Sequence, residues 1–178
     1  MINLVKTDKS ERYTEFAKKL FESAFPPEER PGFETMKNRT DKEFRFNIIE
    51  CDGNPVGILS FWDFEQFVYI EHFAIEETLR NRTLGSNTLK LLKESVFPVK
   101  EMILEVEMPD NETARHRISF YERNGFFSNS GFAYLQPPYR KGTESVPMTI
   151  MSRNRLQDTQ LQEFKKILYR KVYHSDVI

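Results

Sequence analysis

The chain has 178 residues, 39% hydrophobic and 30% charged, an ordinary globular composition with length enough for one sizeable core. Its 26 lysines and arginines nearly cancel 27 aspartates and glutamates, so no global field recruits nucleic acid or an anionic membrane. No apolar run approaches the roughly 20 residues of a spanning helix. The start Met1-Ile2-Asn3-Leu4-Val5-Lys6 lacks a signal-peptide core, which points to a cytoplasmic protein.

Cys51 is the single cysteine, which excludes an intramolecular disulfide. No CxxC or HxxxH pairing suggests a zinc site, and no metal is expected. Ile2 to Lys6 reads as a strand, and Ser10 as the cap of a helix carrying Phe16, Leu20 and Ala24 on one face before Pro26-Pro27. Glu28 to Thr40, interrupted by Pro31-Gly32, reads as a shorter helical segment or lid.

From Glu43 the period becomes two. Phe44, Phe46 and Ile48 alternate with Arg45 and Asn47, Asp52-Gly53-Asn54 supplies a turn, and Val56 to Phe64 returns as the second strand of a hairpin. Phe67 to Ile75 completes a meander, followed by a helix with Leu84, Thr88, Leu91 and Leu92 on one face. Met102 to Val106 reads as a strand, Glu112 to Asn124 as a helix ending at Gly125, and Phe126 to Leu135 and Val146 to Ser152 as strands. Leu161, Phe164, Leu168 and Val172 mark an amphipathic C-terminal helix. The order implies an α/β fold: a mixed sheet with an antiparallel N-terminal meander, covered by helices, over 1–152, with 153–178 a helical extension packed on the same domain.

The segment from Ile75 to Ser86 runs from a strand end through a loop with Arg80 and Arg82 into a helix N-terminus. First-turn amides, the helix dipole and two guanidiniums favour a phosphate there, and a pyrophosphate better than a lone carboxylate. A solvated loop whose arginines only keep it soluble has the same spacing.

These residues resemble motif A of the GNAT acyltransferases, Arg/Gln-x-x-Gly-x-Gly/Ala. Arg80 stands in the first position, Thr83 in the first glycine position and Gly85 in the second, while Asn81 replaces another common glycine. Asn111-Glu112-Thr113-Ala114, followed by Phe120-Tyr121 and Gly125-Phe126, looks like motif B of the same family. Tyr69 to Ile75 and Gln136-Pro137-Pro138-Tyr139 are similar to an uncharacterised bacterial-type subgroup.

The resemblance implies a GNAT-type fold and an N-acetyltransferase that passes an acetyl group from acetyl-CoA directly to a primary amine, on a small molecule or a peptide. It implies cofactor contacts at Phe73, Ala74, Ile75, Arg80, Asn81, Arg82, Thr83, Leu84, Gly85, Ser86 and Asn111, with Asn111 open to a capping role instead. It places Tyr121 as the acid for the departing thiolate, or else as a packed helix residue.

Glu71 interrupts an apolar strand and is the proposed base, with a salt bridge to a helix arginine as the other reading. Alternation sets Glu71 and His72 on opposite faces, His72 being read as structural. Glu105 and Glu107 share a face of the next strand and are reserve bases or amine ligands. The resemblance implies candidate acceptor contacts at Glu29, Trp62 and Tyr139, with Glu105 as a reserve, each with surface or core packing as the alternative. Arg115, His116, Arg117 and Arg123 read as a solvated helix face. A non-catalytic acyl-CoA sensor with the same fold is the competing function, and a homodimer is left open.

Overall fold

The computed structural model describes residues 1–7, 10–80, 82–140 and 142–175. The chain divides into two compact units, Met1–Pro27 with Pro31–Glu101, and Glu28–Arg30 with Met102–Ile178.

The first unit is the predicted meander. β1 (Ile2–Lys6), β2 (Phe44–Cys51), β3 (Asn54–Asp63) and β4 (Phe67–Ile75) pair antiparallel in that order. The β2–β3 turn places Asp52 and Gly53 at φ 50° and 79°, the positive values a two-residue hairpin turn requires. Helix α1 (Glu11–Ala24) packs on β3 and β4, and Ser10 Oγ accepts the amide of Tyr13 at 3.3 Å as its cap. Its buried residues are Tyr13, Ala17, Leu20 and Phe21. Phe16 and Ala24 are only half-buried, which rotates the inner face from the expected one.

The lid segment contains the short helix α2 (Phe33–Lys37), anchored by buried Phe33 and Met36. Helix α3 (Leu84–Leu91) lies against β1 and β4 and widens into a π turn over Leu92–Val96. It buries Thr88, Leu89 and Leu92, while Leu84 and Leu91 are half-buried.

The second unit pairs β5 (Glu101–Glu107) antiparallel with β8 (Val146–Ser152). The strand expected over 126–135 is two short ones, β6 (Phe127–Ser128) and β7 (Tyr134–Gln136), which pair with opposite ends of β8. Asn129 to Ala133 breaks them: the Phe132 amide closes a turn onto Asn129 O at 3.0 Å. Helix α4 (Glu112–Arg123) ends as predicted, with Gly125 at φ 75°. Helix α5 (Asp158–Lys171) buries Leu161, Phe164, Leu168 and Tyr169, followed by Val172 and Tyr173.

The sheet of the first unit is irregular where it matters. Ser60 pairs with His72 and Phe61 with Ile70, so Glu71 is the unpaired residue of a β-bulge in β4. Beyond the bulge, Gly57 opposes Ile75 so closely that an added Cβ would stand 2.5 Å from Ala74 O and 2.9 Å from Ile75 Cδ1. Backbone must shift to admit it. Gly57→Ala is therefore expected to lower the unfolding free energy by about 1–3 kcal/mol, read by urea denaturation; a midpoint equal to wild type would contradict so tight an approach.

Candidate active site

Two groups of residues are the candidates for a functional site, one in each unit. In the first, β4 delivers the chain into the start of α3. Arg80 is exposed, and its Nε donates to Ile75 O at 3.2 Å, tying the loop to the strand end. Arg82 is exposed. Asn81 lies outside the described residues.

Thr83 caps α3 at φ 61°, ψ −1°, a left-handed conformation unusual for a β-branched residue and natural for the glycine this position takes in motif A. Its carbonyl accepts the Asn87 amide at 2.8 Å, but its side chain caps no amide. The amides of Leu84, Gly85 and Ser86 are thus left, among the described residues, without a backbone or side-chain acceptor. This donor set fits a CoA pyrophosphate. Phe73, Ala74 and Ile75, the last residues of β4, are half-buried.

Glu71 and Trp62 take the ion-paired and packed readings that the sequence left open. The Glu71 side chain is 0% exposed, with Oε1 at 3.5 Å from Arg39 Nη1 and Oε2 accepting from Trp62 Nε1 at 3.0 Å. Arg39 lies over the Phe44 and Trp62 rings at 5.1 and 4.9 Å. The partner predicted on a helix is instead a loop arginine following α2. Trp62, expected to touch the acceptor, is 0% exposed and forms core.

The bulge also overturns the alternation argument. His72 Nδ1 and Glu71 Oε2 approach to 4.0 Å, so both side chains turn inward. His72 is structural: Ser60 Oγ lies 3.2 Å from Nδ1, and Phe21 and Phe25 meet the ring edge-on.

The second unit gathers Glu29, Glu107, Arg117 and Tyr121. Arg117 and Tyr121 are one turn apart on α4 and share a face. Arg117 Nη1 bonds Glu107 Oε1, so it is not part of a solvated face, and Glu107 Oε2 is buried with no partner among the described residues. Burial pushes the Tyr121 hydroxyl up to about 12, with Arg117 opposing and Glu107 reinforcing the shift. Glu29 is pushed up to about 7, first by desolvation and then by the negative charge of Glu107, against the pull of Arg117.

Glu105 is held elsewhere. Tyr134 and Tyr173 both donate to its carboxylate, the latter at 2.7 Å, and Gln136 Nε2 donates to the Tyr173 hydroxyl at 3.0 Å. Both of its oxygens already have donors, an arrangement that fastens α5 to β5 and does not leave a ready amine ligand. Tyr139 is half-buried with its ring 5.0 Å from Tyr173. Asn111 caps α4, its Oδ1 accepting the Ala114 amide at 2.9 Å. No group of three or more metal-ligating side chains, and no helix long and apolar enough to cross a membrane, occurs among the described residues.

Residues 11–126 match the family model described as Acetyltransferase (GNAT) family. The chain belongs to the GNAT acetyltransferase family. A provisionally named GNAT-family acetyltransferase from Bacteroides thetaiotaomicron is 36% identical, covers 97% of this chain and 98% of its own, and superposes with a TM-score of 0.86. YjbC of Bacillus subtilis (strain 168), also a provisionally named acetyltransferase, is 26% identical over 105 residues; the match spans 57% of this chain and only 54% of that relative. An aminoglycoside 6'-N-acetyltransferase complexed with coenzyme A shares the fold at 14% identity and a TM-score of 0.58, over 88% of this chain and 99% of its own.

Arg39 was absent from sequence reasoning and Glu107 only a reserve. Neither has a local signal, since Arg39 and Glu71 are 32 residues apart and Glu107 and Arg117 are 10. The left-handed Thr83 yields a direct test. Thr83→Gly removes strain of roughly 1–2 kcal/mol, offset in part by glycine's greater backbone entropy. The expected net is about 1 kcal/mol of stabilisation with Tm raised by about 2–4 °C, read by calorimetry. A lowered Tm would show that the hydroxyl contacts outweigh the strain.

Proposed function

We propose that this GNAT-family protein is an N-acetyltransferase that takes an acetyl group from acetyl-CoA and transfers it directly to a primary amine. The observation that carries the reading is the conjunction of unpartnered first-turn amides at α3 with a tyrosine at the motif B position whose hydroxyl stays protonated. When bound, acetyl-CoA supplies the activated thioester. The amides of Leu84, Gly85 and Ser86, with exposed Arg82, would bind its pyrophosphate. Backbone groups of Phe73, Ala74 and Ile75 are proposed to align the pantetheine arm and to donate to the developing oxyanion.

Tyr121 is proposed as the acid. A hydroxyl near 12 keeps its proton across the physiological range, so Tyr121 is a hydrogen-bond donor to sulfur from the start. Full transfer to a thiolate of pKa about 8.5 is uphill, so Tyr121 is proposed to stabilise the leaving sulfur chiefly by a hydrogen bond that strengthens as charge builds on it. Glu71, a base candidate from the sequence, is committed to Arg39 and Trp62, and we assign it the task of holding the β4 bulge. Asn111 is proposed to serve α4 as its cap first.

The strained Thr83 favours one alternative, a protein that binds acyl-CoA without turnover. Thiol release from acetyl-CoA against a panel of primary amines separates the two. We expect amine-dependent release, with kcat lowered about 10²-fold or more in Tyr121→Phe. Wild-type rates in that variant would remove Tyr121 from the chemistry, and saturable acetyl-CoA binding without release would favour the sensor.

A further inference from the structure

Arg39 is a guanidinium largely withdrawn from water with most of its donors unmatched. Its side chain is 9% exposed, yet only Nη1 meets an acceptor among the described residues, Glu71 Oε1 at 3.5 Å. Nε and Nη2 have no hydrogen-bond partner there, and neither is fully enclosed, so both open through the small area the side chain keeps. A guanidinium has five N–H donors in a fixed fork, and burying them without acceptors is costly. Neutralising Glu71 does not explain the arrangement. Glu71 Oε2 already takes the Trp62 indole at 3.0 Å, and an arginine placed only to pair with the carboxylate would close on it with two prongs at about 2.8 Å.

The fork is nevertheless held in place. Its carbon lies 5.1 Å from the Phe44 ring centre and 4.9 Å from that of Trp62, and Phe64 stacks on Trp62 at 5.6 Å with the rings 15° apart. The Arg39 amide donates to Met36 O at 3.3 Å, and buried Phe33 and Met36 anchor α2. Cation–π contact restrains an arginine while leaving its N–H donors available. The result is a preorganised side-on edge, Nε with Nη2, which is the edge that takes both oxygens of a carboxylate. Every residue of this arrangement belongs to the first unit.

We propose, resting on the acyl-transfer reading above, that Arg39 is a specificity-determining residue that binds a carboxylate of the acceptor through Nε and Nη2. The acceptor is then a zwitterionic primary amine, a small amino acid, and not a polycation. Charge selects the carboxylate: Glu71 already offsets part of the Arg39 charge, so the open edge suits a monoanion better than a phosphate dianion. Distance selects the small molecule. Glu71 and Phe73 are two residues apart on β4, about 7 Å along a strand, so a carboxylate on Arg39 leaves the amine of a short amino acid in reach of the strand end proposed to hold the thioester.

The test measures CoA release from acetyl-CoA by the 178-residue chain with amines matched in pairs, 4-aminobutyrate with butylamine and L-amino acids with their amides. In wild type, kcat/KM is expected to be about tenfold or more higher for the carboxylate member of a pair, chiefly through KM. Arg39→Lys keeps a cation beside Glu71 but has no fork, and should bring that ratio to within about twofold of one. The double variant Arg39→Gln with Glu71→Gln removes both charges together, so that none is left buried alone, and should also abolish the preference.

Turnover in wild type with no preference for the carboxylate member, or a preference that survives both substitutions, overturns the proposal. A stronger preference for 2-aminoethyl phosphate than for every carboxylate overturns the choice of anion. Should neither variant fold, competition in wild type decides: butyrate that inhibits acetylation of the amine where butyramide does not supports the proposal, and equal inhibition by the two overturns it. Wild-type protein that binds acetyl-CoA but releases CoA with none of the amines overturns the acyl-transfer reading itself, an outcome distinct from turnover without carboxylate preference.

Discussion

The ion pair between Arg117 and Glu107 sets the electrostatics of the candidate site in the second unit, because Glu29 and Tyr121 both respond to it. It joins α4 to β5 and engages one carboxylate oxygen while leaving the other buried. From Arg117, one helical turn leads to Tyr121, whose proton is held by burial and tuned by the same two charges. Glu29 feels the pair from the other direction, raised by one member and lowered by the other. Arginine suits the role because its fork fixes a carboxylate's orientation as well as its charge, and lysine would fix only the charge.

The first unit solves a different problem, bringing a strand end up to a helix start with its amides exposed. Glu71 is the extra residue of the β4 bulge, and Arg39 and Trp62 hold it inward. Breaking a pair this deeply buried would leave an uncompensated charge, at a cost of roughly 3–5 kcal/mol. Gly57 lets β3 and β4 approach beyond the bulge, and Thr83 turns the chain through left-handed space into α3. The family's usual glycine would make that turn without strain, so Thr83 is a local conflict between residue and conformation at the proposed cofactor site.

Much of this architecture was legible in the sequence because it is written in local periodicity. The meander, the Asp52-Gly53 turn, the Ser10 and Asn111 caps and the apolar stripe of α5 depend on residues within a few positions of one another. Features that depend on distant pairing were not legible. The bulge changed which way Glu71 and His72 point, since a single unpaired residue cancels the strand's alternation. Arg39 had no local mark, and Glu105 could not be seen to be occupied until Tyr134 and Tyr173, 29 and 68 residues away, were placed around it. Tyr121 was found through its motif, yet the charges that tune it were visible only once α4 and β5 were paired. The inner face of α1 was misjudged because Phe16 is apolar by composition but points off the core.

The central claim is that the start of α3 recognises the pyrophosphate of a CoA ester in this GNAT-family chain. Isothermal titration of acetyl-CoA into the 178-residue chain tests it most directly, with CoA and pantetheine as the comparison ligands. The account predicts one saturable site for acetyl-CoA and CoA, weakened by added salt, and binding at least tenfold weaker for pantetheine, which lacks the pyrophosphate. Equal affinity for pantetheine, or no saturable binding of either CoA species, would contradict it.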